Sequence, residues 1–167
     1  MCLLYLSIDY SEFMGKELLN EWLNRYGVWL EQDCFIIQDY YALEVSNKFL
    51  DYNGFICFGA GRELYSQEKV EEWREEIYQK NLSEANKELI LNARIWEAKR
   101  ATKLFEEDYA LWMKVFQGYL EKHSQIGIYY AYEEDRRYHK VIPIQFKEVT
   151  KDVIASLEAH TLLLIHR

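Results

Sequence analysis

Proline is almost missing: Pro143 is the only one in 167 residues, and glycine occurs just seven times. That scarcity excludes collagen-like, linker-rich and low-complexity architectures. Cysteine is sparse and odd in number, at Cys2, Cys34 and Cys57, which excludes a disulfide framework; no pair has the spacing of a zinc knuckle. Cys34 and Cys57 sit in apolar runs, where a free thiol behaves as a small hydrophobe. No stretch reaches the roughly 18 consecutive apolar residues of a membrane span, and no basic segment precedes a signal-type apolar run at the N-terminus. A cytoplasmic protein that does not engage a membrane is expected. Positive charge is in deficit too, with 20 Lys and Arg against 28 Asp and Glu, net −8. That argues against direct nucleic-acid binding, because a phosphate backbone is met by clustered cations.

What is present is apolar and aromatic. Half the residues are hydrophobic and 16% are aromatic, enough to offset the entropy of ordering the chain. The length suits one domain with a real core. The charge is concentrated. Residues 1–61 hold nine acids and three bases, together with 13 of the 27 aromatics. Residues 62–123 hold thirteen acids and eleven bases, and residues 124–167 six of each. An acidic surface carrying aromatics favours a basic partner through field and contact together.

The order of elements reads as α+β: a single domain over residues 1–167, with a mixed sheet built from both chain ends and a long central helical hairpin. Cys2–Ile8 is apolar and β-prone. Ser11 is an N-cap candidate for a helix in which Leu18, Leu19, Trp22, Leu23, Tyr26, Trp29 and Leu30 recur at helical spacing, with Gly27 as its expected end. Phe35–Ile37 and Tyr40–Val45 suit a strand pair or one bent strand, Asn53-Gly54 a turn, and Phe55–Phe58 a short buried strand. Residues 62–122 are helix-forming: Val70, Trp73 and Ile77 make one stripe, Ser83 is the next N-cap, and Ala85, Leu89, Ala93, Trp96, Arg100 and Leu104 follow one face. A rod over residues 84–122 would be ~58 Å long, against ~30–35 Å for a domain of this size. A break near Glu106–Asp108, a projecting arm or packing on a partner is therefore expected, and an antiparallel hairpin within 62–122 is preferred. Strands return at Ile126–Tyr132, Val141–Phe146 and Thr161–Ile165. Pro143 marks an edge strand or a bulge, and Thr150 caps a short helix over Lys151–Ala159.

The chemistry-bearing residues form no catalytic constellation. Gly59-Ala60-Gly61 lacks the third glycine of a dinucleotide fingerprint and has no following Gly-Lys-Ser/Thr. His123, His139, His160 and His166 include no His-x-x-x-His pair; His123 and His160 are placed to favour helix C-termini. Glu133-Glu134-Asp135 lacks the ligand alternation of a calcium loop. Met1-Cys2, at those two positions alone, is similar to the opening of N-terminal-nucleophile amidohydrolases and glutamine amidotransferases; that resemblance implies a Cys2 thiol paired with a free amine. No cofactor and no metal are expected. The best interaction patch is Asp39-Tyr40-Tyr41 with Asp33, Glu44, Asp51 and Tyr52. Extended, it puts Asp39 and Tyr41 on one face and Tyr40 on the other. Rigid tyrosine anchors beside carboxylates suit a basic cleft.

These properties are similar to those of bacterial immunity proteins and phage-encoded inhibitors. The leading expectation is a non-enzymatic, acidic inhibitor of a basic partner such as a nuclease toxin. An oligomeric assembly module using helices 62–122 is the second reading, and an enzyme acting through Cys2 or a pocket without a motif is the third.

Overall fold

Among the described residues the chain forms six strands and four α-helices. The computed structural model describes residues 2–37, 39–47, 64–132, 137 and 139–167. Its elements are β1 (Cys2–Asp9), α1 (Lys16–Asn24), β2 (Val28–Ile37), β3 (Tyr40–Asn47), α2 (Gln67–Tyr78), α3 (Glu84–Leu120), β4 (Gln125–Tyr132), β5 (Lys140–Gln145), α4 (Lys151–Ala155) and β6 (Thr161–His166). The sheet order is β2-β3-β1-β4-β6-β5, antiparallel throughout except for the parallel β5–β6 pair. The fold is α+β, with a mixed sheet drawn from both ends of the chain and a long central helix. The chain divides into two compact units, Met1–Ala60 with Glu107–Arg167, and Gly61–Glu106.

In the first unit the register aligns apolar residues in rows across the sheet. Leu43, Leu6, Ile128, Leu163 and Ile142 are successive ladder partners, and Leu6, Ile128 and Leu163 are almost fully buried. The opposite face is buried too: Tyr5, Ala42, Tyr129 and Leu162 cluster there, with Tyr40 packed against them. A sheet buried on both faces explains why Leu162–Ile165 is one uninterrupted apolar run. Gly127 in β4 fits this face closely, since a Cβ there would sit 2.9 Å from Leu162 Cδ1 and 3.1 Å from Ser7 Cβ. Leu19 and Leu23 of α1, Trp112, Val115 and Phe116 of α3 and Ile154 of α4 are buried with them. Each such side chain stabilises the fold by about 1.5–3 kcal/mol relative to exposure.

The second unit is a helical hairpin. Ser66 caps α2 by accepting from Lys69 N at 3.1 Å, and Ser83 caps α3 by accepting from Asn86 N at 3.3 Å. Val70, Trp73 and Ile77 of α2 pack with Leu91 and Ala98 of α3, with Tyr65 and Ile95 half-buried alongside. The Tyr65 amide donates to Thr102 Oγ1 at 2.8 Å, and Thr102 Oγ1 donates back to Ala98 O at 2.9 Å. Arg94 lies over the Trp73 ring, 5.0 Å from its centroid, and its guanidinium meets Glu76 at 3.0 Å.

Several expectations change. The first helix stops at Asn24 because Gly27 takes φ 74; Trp29 and Leu30 then belong to β2, where their apolar character serves a strand. Ser11 lies in a 3-10 turn, Tyr10–Glu12, and the N-cap of α1 is Gly15 at φ 97. Helix α3 runs unbroken for 37 residues. Asp108 does not interrupt it, because its buried carboxylate accepts from Trp112 Nε1 one turn on, at 3.1 Å, within the same helix. The face of Leu89 and Trp96 is exposed, and the buried positions are Leu91, Ala98 and Phe105. Thr150 caps α4 as expected, accepting from Val153 N at 3.2 Å, but α4 ends at Ala155. His160 therefore lies in the turn before β6, with φ 62. Pro143 lies in β5, an edge strand. Asn53-Gly54, Phe55–Phe58, Gly59-Ala60-Gly61 and Glu133-Glu134-Asp135 lie outside the described residues. Among the described residues no helix is long and apolar enough to cross a membrane.

Candidate partner-binding surface

The surface begins where β1 runs out. Asp9 ends the strand and caps the following turn: its Oδ1 accepts from Ser11 N at 2.8 Å and from Ser11 Oγ at 2.6 Å. Its Oδ2 accepts from Gln125 Nε2 of β4 at 2.8 Å. The Ser11 hydroxyl and amide, joined by Gln125, hold the Asp9 carboxyl below the usual carboxylate range against an opposing effect of burial. It is an anion at neutral pH.

The turn is tied to the β2–β3 hairpin by Tyr10 N donating to Asp39 O at 2.8 Å. The Tyr10 ring stacks on Tyr41, with centroids 5.3 Å apart and planes 12° apart. Phe13 meets the same ring at 4.1 Å. Tyr10 remains 59% exposed, and Asp39 is exposed beside it. The result is an aromatic group, Tyr10–Tyr41–Phe13, next to the carboxylates of Asp9 and Asp39 on neighbouring strand ends.

Tyr40 and Tyr41 do point to opposite faces: Tyr41 joins the exposed aromatic group and Tyr40 packs on the Tyr5–Tyr129 side. The Tyr40 phenol is pushed up by burial, then by the charges of Asp9 and Asp39. Deeper in, Glu12 Oε1 accepts from Ser124 Oγ at 2.6 Å, and Glu12 Oε2 lies 3.8 Å from His123 Nδ1. The Tyr119 phenol stacks on His123 at 4.1 Å. It is driven far above its ordinary value by burial, then by Glu12 and Asp9. Beside the Tyr119 phenol is a cleft of about 210 Å³, lined by Met14, Leu18, Trp22, Gly118, Tyr119 and His123 among others.

Of the sequence-derived residues, Asp39, Tyr40 and Tyr41 meet at this end of the sheet. Glu44 is half-buried on β3, four residues further along and so roughly 13 Å from Tyr40. Asp33 lies in β2 beside the register shift between Leu30 and Cys34. Asp51 and Tyr52 lie outside the described residues. Asp9, Tyr10, Glu12 and Phe13 were not anticipated, although Asp9-Tyr10 repeats the Asp-Tyr pair of Asp39-Tyr40 and Asp51-Tyr52. Among the described residues no group of three or more His, Cys, Asp or Glu is placed to hold a metal ion.

Compared with known proteins, the chain matches no family model, no curated protein and no solved structure.

Proposed function

We propose that this chain is a binding protein that neutralises a basic protein partner, of the nuclease-toxin kind, through the surface formed by Asp9, Tyr10, Asp39 and Tyr41. The observation that carries this reading is the Tyr10–Tyr41 stack flanked by two carboxylates. A rigid, partly exposed aromatic pair offers contact area at low entropic cost. Adjacent anions steer a cationic surface toward it and can occupy the positions of phosphate oxygens in the partner's cleft. The acid excess of residues 1–61 strengthens the same field.

The test is stopped-flow association with basic proteins encoded beside this chain, followed by activity assays of the partner. The association rate is expected to fall steeply as salt rises, because the steering field is screened within about 10 Å at 0.1 M ionic strength. Tyr10→Ala is expected to weaken the complex by roughly thirty-fold or more, mainly through faster dissociation. An association rate indifferent to salt, or no basic partner among the neighbours, sinks the proposal.

A further inference from the structure

The hairpin unit leaves one side of α3 uncovered. Leu89 is 69% exposed and Trp96 62% exposed, with Ala85 and Ala93 exposed between and beside them. Leu91 and Ala98, two residues on from Leu89 and Trp96, face α2. At 100° per residue the Leu89–Trp96 stripe therefore lies on the far side of the helix from α2. Single exposed apolar side chains are common, but a contiguous exposed stripe marks an interaction site. Arg100 lies over the Trp96 ring at 5.7 Å, so the stripe ends in a cation.

We propose that two copies of this chain pair antiparallel along this face of α3. The charge order selects the occupant and its direction. Glu88 precedes the stripe centre and Lys99 follows it, about three helical turns apart and hence on the same flank. With a two-fold axis beside Ala93, Glu88 of each copy is level with Lys99 of the other, twice over. Leu89 then enters the gap between Trp96 and Arg100 of the second copy, and the two Ala93 residues let the helices approach. A parallel pair in register would instead set Arg100 against Arg100 at the seam, which is repulsive, and would leave the Glu88 and Lys99 flanks of the two copies on opposite sides of it. The antiparallel arrangement is isologous, so it closes as a dimer. Ala85 to Lys103 spans about 28 Å of helix, and one helix face of that length is a small contact beside the roughly 800 Å² per partner of a standard interface. The dimer is accordingly a concentration-dependent one.

Sedimentation equilibrium from low to several hundred micromolar tests this on the intact chain. Wild type is expected to pass from monomer to dimer over that range. Trp96→Glu is expected to raise the dissociation constant roughly thirty-fold or more, with circular dichroism unchanged because the side chain is exposed in the monomer. Glu88→Lys and Lys99→Glu are each expected to weaken the dimer, and the double reversal to restore it. A mass that stays monomeric throughout overturns the proposal, as does a dimer that Trp96→Glu leaves intact. A double reversal no tighter than either single overturns the antiparallel pairing.

Discussion

Replacing Gly118 with alanine sets two known effects against each other. Gly118 lies in α3, where glycine costs about 0.8–1 kcal/mol relative to alanine, so propensity alone predicts stabilisation. A Cβ at Gly118, however, would overlap the Tyr26 hydroxyl and lie 3.2 Å from Tyr26 Cζ and 3.5 Å from Trp22 Cζ2. Tyr26 is itself held against Trp22, ring centroids 5.0 Å apart, and Trp22 against Tyr119 at 5.7 Å. The ring cannot swing away without loosening that group, and overpacking of this kind costs about 1–3 kcal/mol. Gly118→Ala is therefore expected to destabilise by about 1 kcal/mol, or ~2–4 °C in Tm for a chain of this length. Tyr26→Phe removes the overlapping atom and leaves contacts that a shift of a few tenths of an ångström relieves. In that background Gly118→Ala is expected to stabilise by roughly 0.5–1 kcal/mol. Urea melts of the four proteins give the coupling directly, expected near 2 kcal/mol. If alanine stabilises both backgrounds equally, within about 0.5 kcal/mol, the close approach of α1 to α3 at this position is refuted.

Asp9→Asn is expected to lose about 1–2 kcal/mol at pH 7, the usual worth of a capping side chain. Because the folded carboxyl is lowered, that stability is present above the unfolded carboxylate value and disappears as pH falls through the folded one. Thermal melts of wild type and variant should therefore converge in acid, and a constant gap would contradict the assignment. Tyr119 buries a hydroxyl with no hydrogen-bond partner among the described residues, so Tyr119→Phe is expected to be neutral or stabilising by up to about 1–2 kcal/mol in denaturant melts. Since the folded phenol is raised, the same variant should also lessen the loss of stability as pH rises above about 10. Arg94→Ala is expected to cost about 1 kcal/mol, with most of the loss surviving in 1 M salt. Its contact over Trp73 is packing, whereas the half-exposed pair with Glu76 is screened.

Several element ends were readable where one residue type dictates the backbone, although the Gly15 N-cap of α1 was not. Ser83 and Thr150 cap the helices their side chains can cap, Gly27 ends α1, and Pro143 lies on an edge strand. The interior of α3 was harder to place because it carries two apolar stripes. Leu89, Ala93 and Trp96 are the more obvious set in the first half of the helix, yet the buried one is Leu91, Ala98, Phe105, Trp112 and Tyr119. Those five residues recur every seven positions, the period of a helix seam, but the small Ala98 hides it. Trp29 and Leu30 continued the helical spacing by coincidence, and only the positive φ at Gly27 turns them into a strand. The acidic aromatic surface was half visible. Asp39-Tyr40-Tyr41 is contiguous, but Asp9, Tyr10 and Phe13 join it through a backbone hydrogen bond and ring contacts from thirty residues away. Single-segment patterning does not register such contacts.

The position of β1 has a consequence for how this chain comes off the ribosome. Leu6 is paired in register with Ile128, so β1 awaits that neighbour for about 120 residues of synthesis, roughly 6–25 s at cellular elongation rates. In that interval β3 can take one side of β1, and the α2–α3 hairpin can form from local contacts. The other side of a very apolar strand stays open until β4 emerges. Non-local closure of this sort is slow and exposes strand edges to other nascent chains. Yield on expression should accordingly depend on elongation rate and chaperone supply more than on the equilibrium stability of the finished protein.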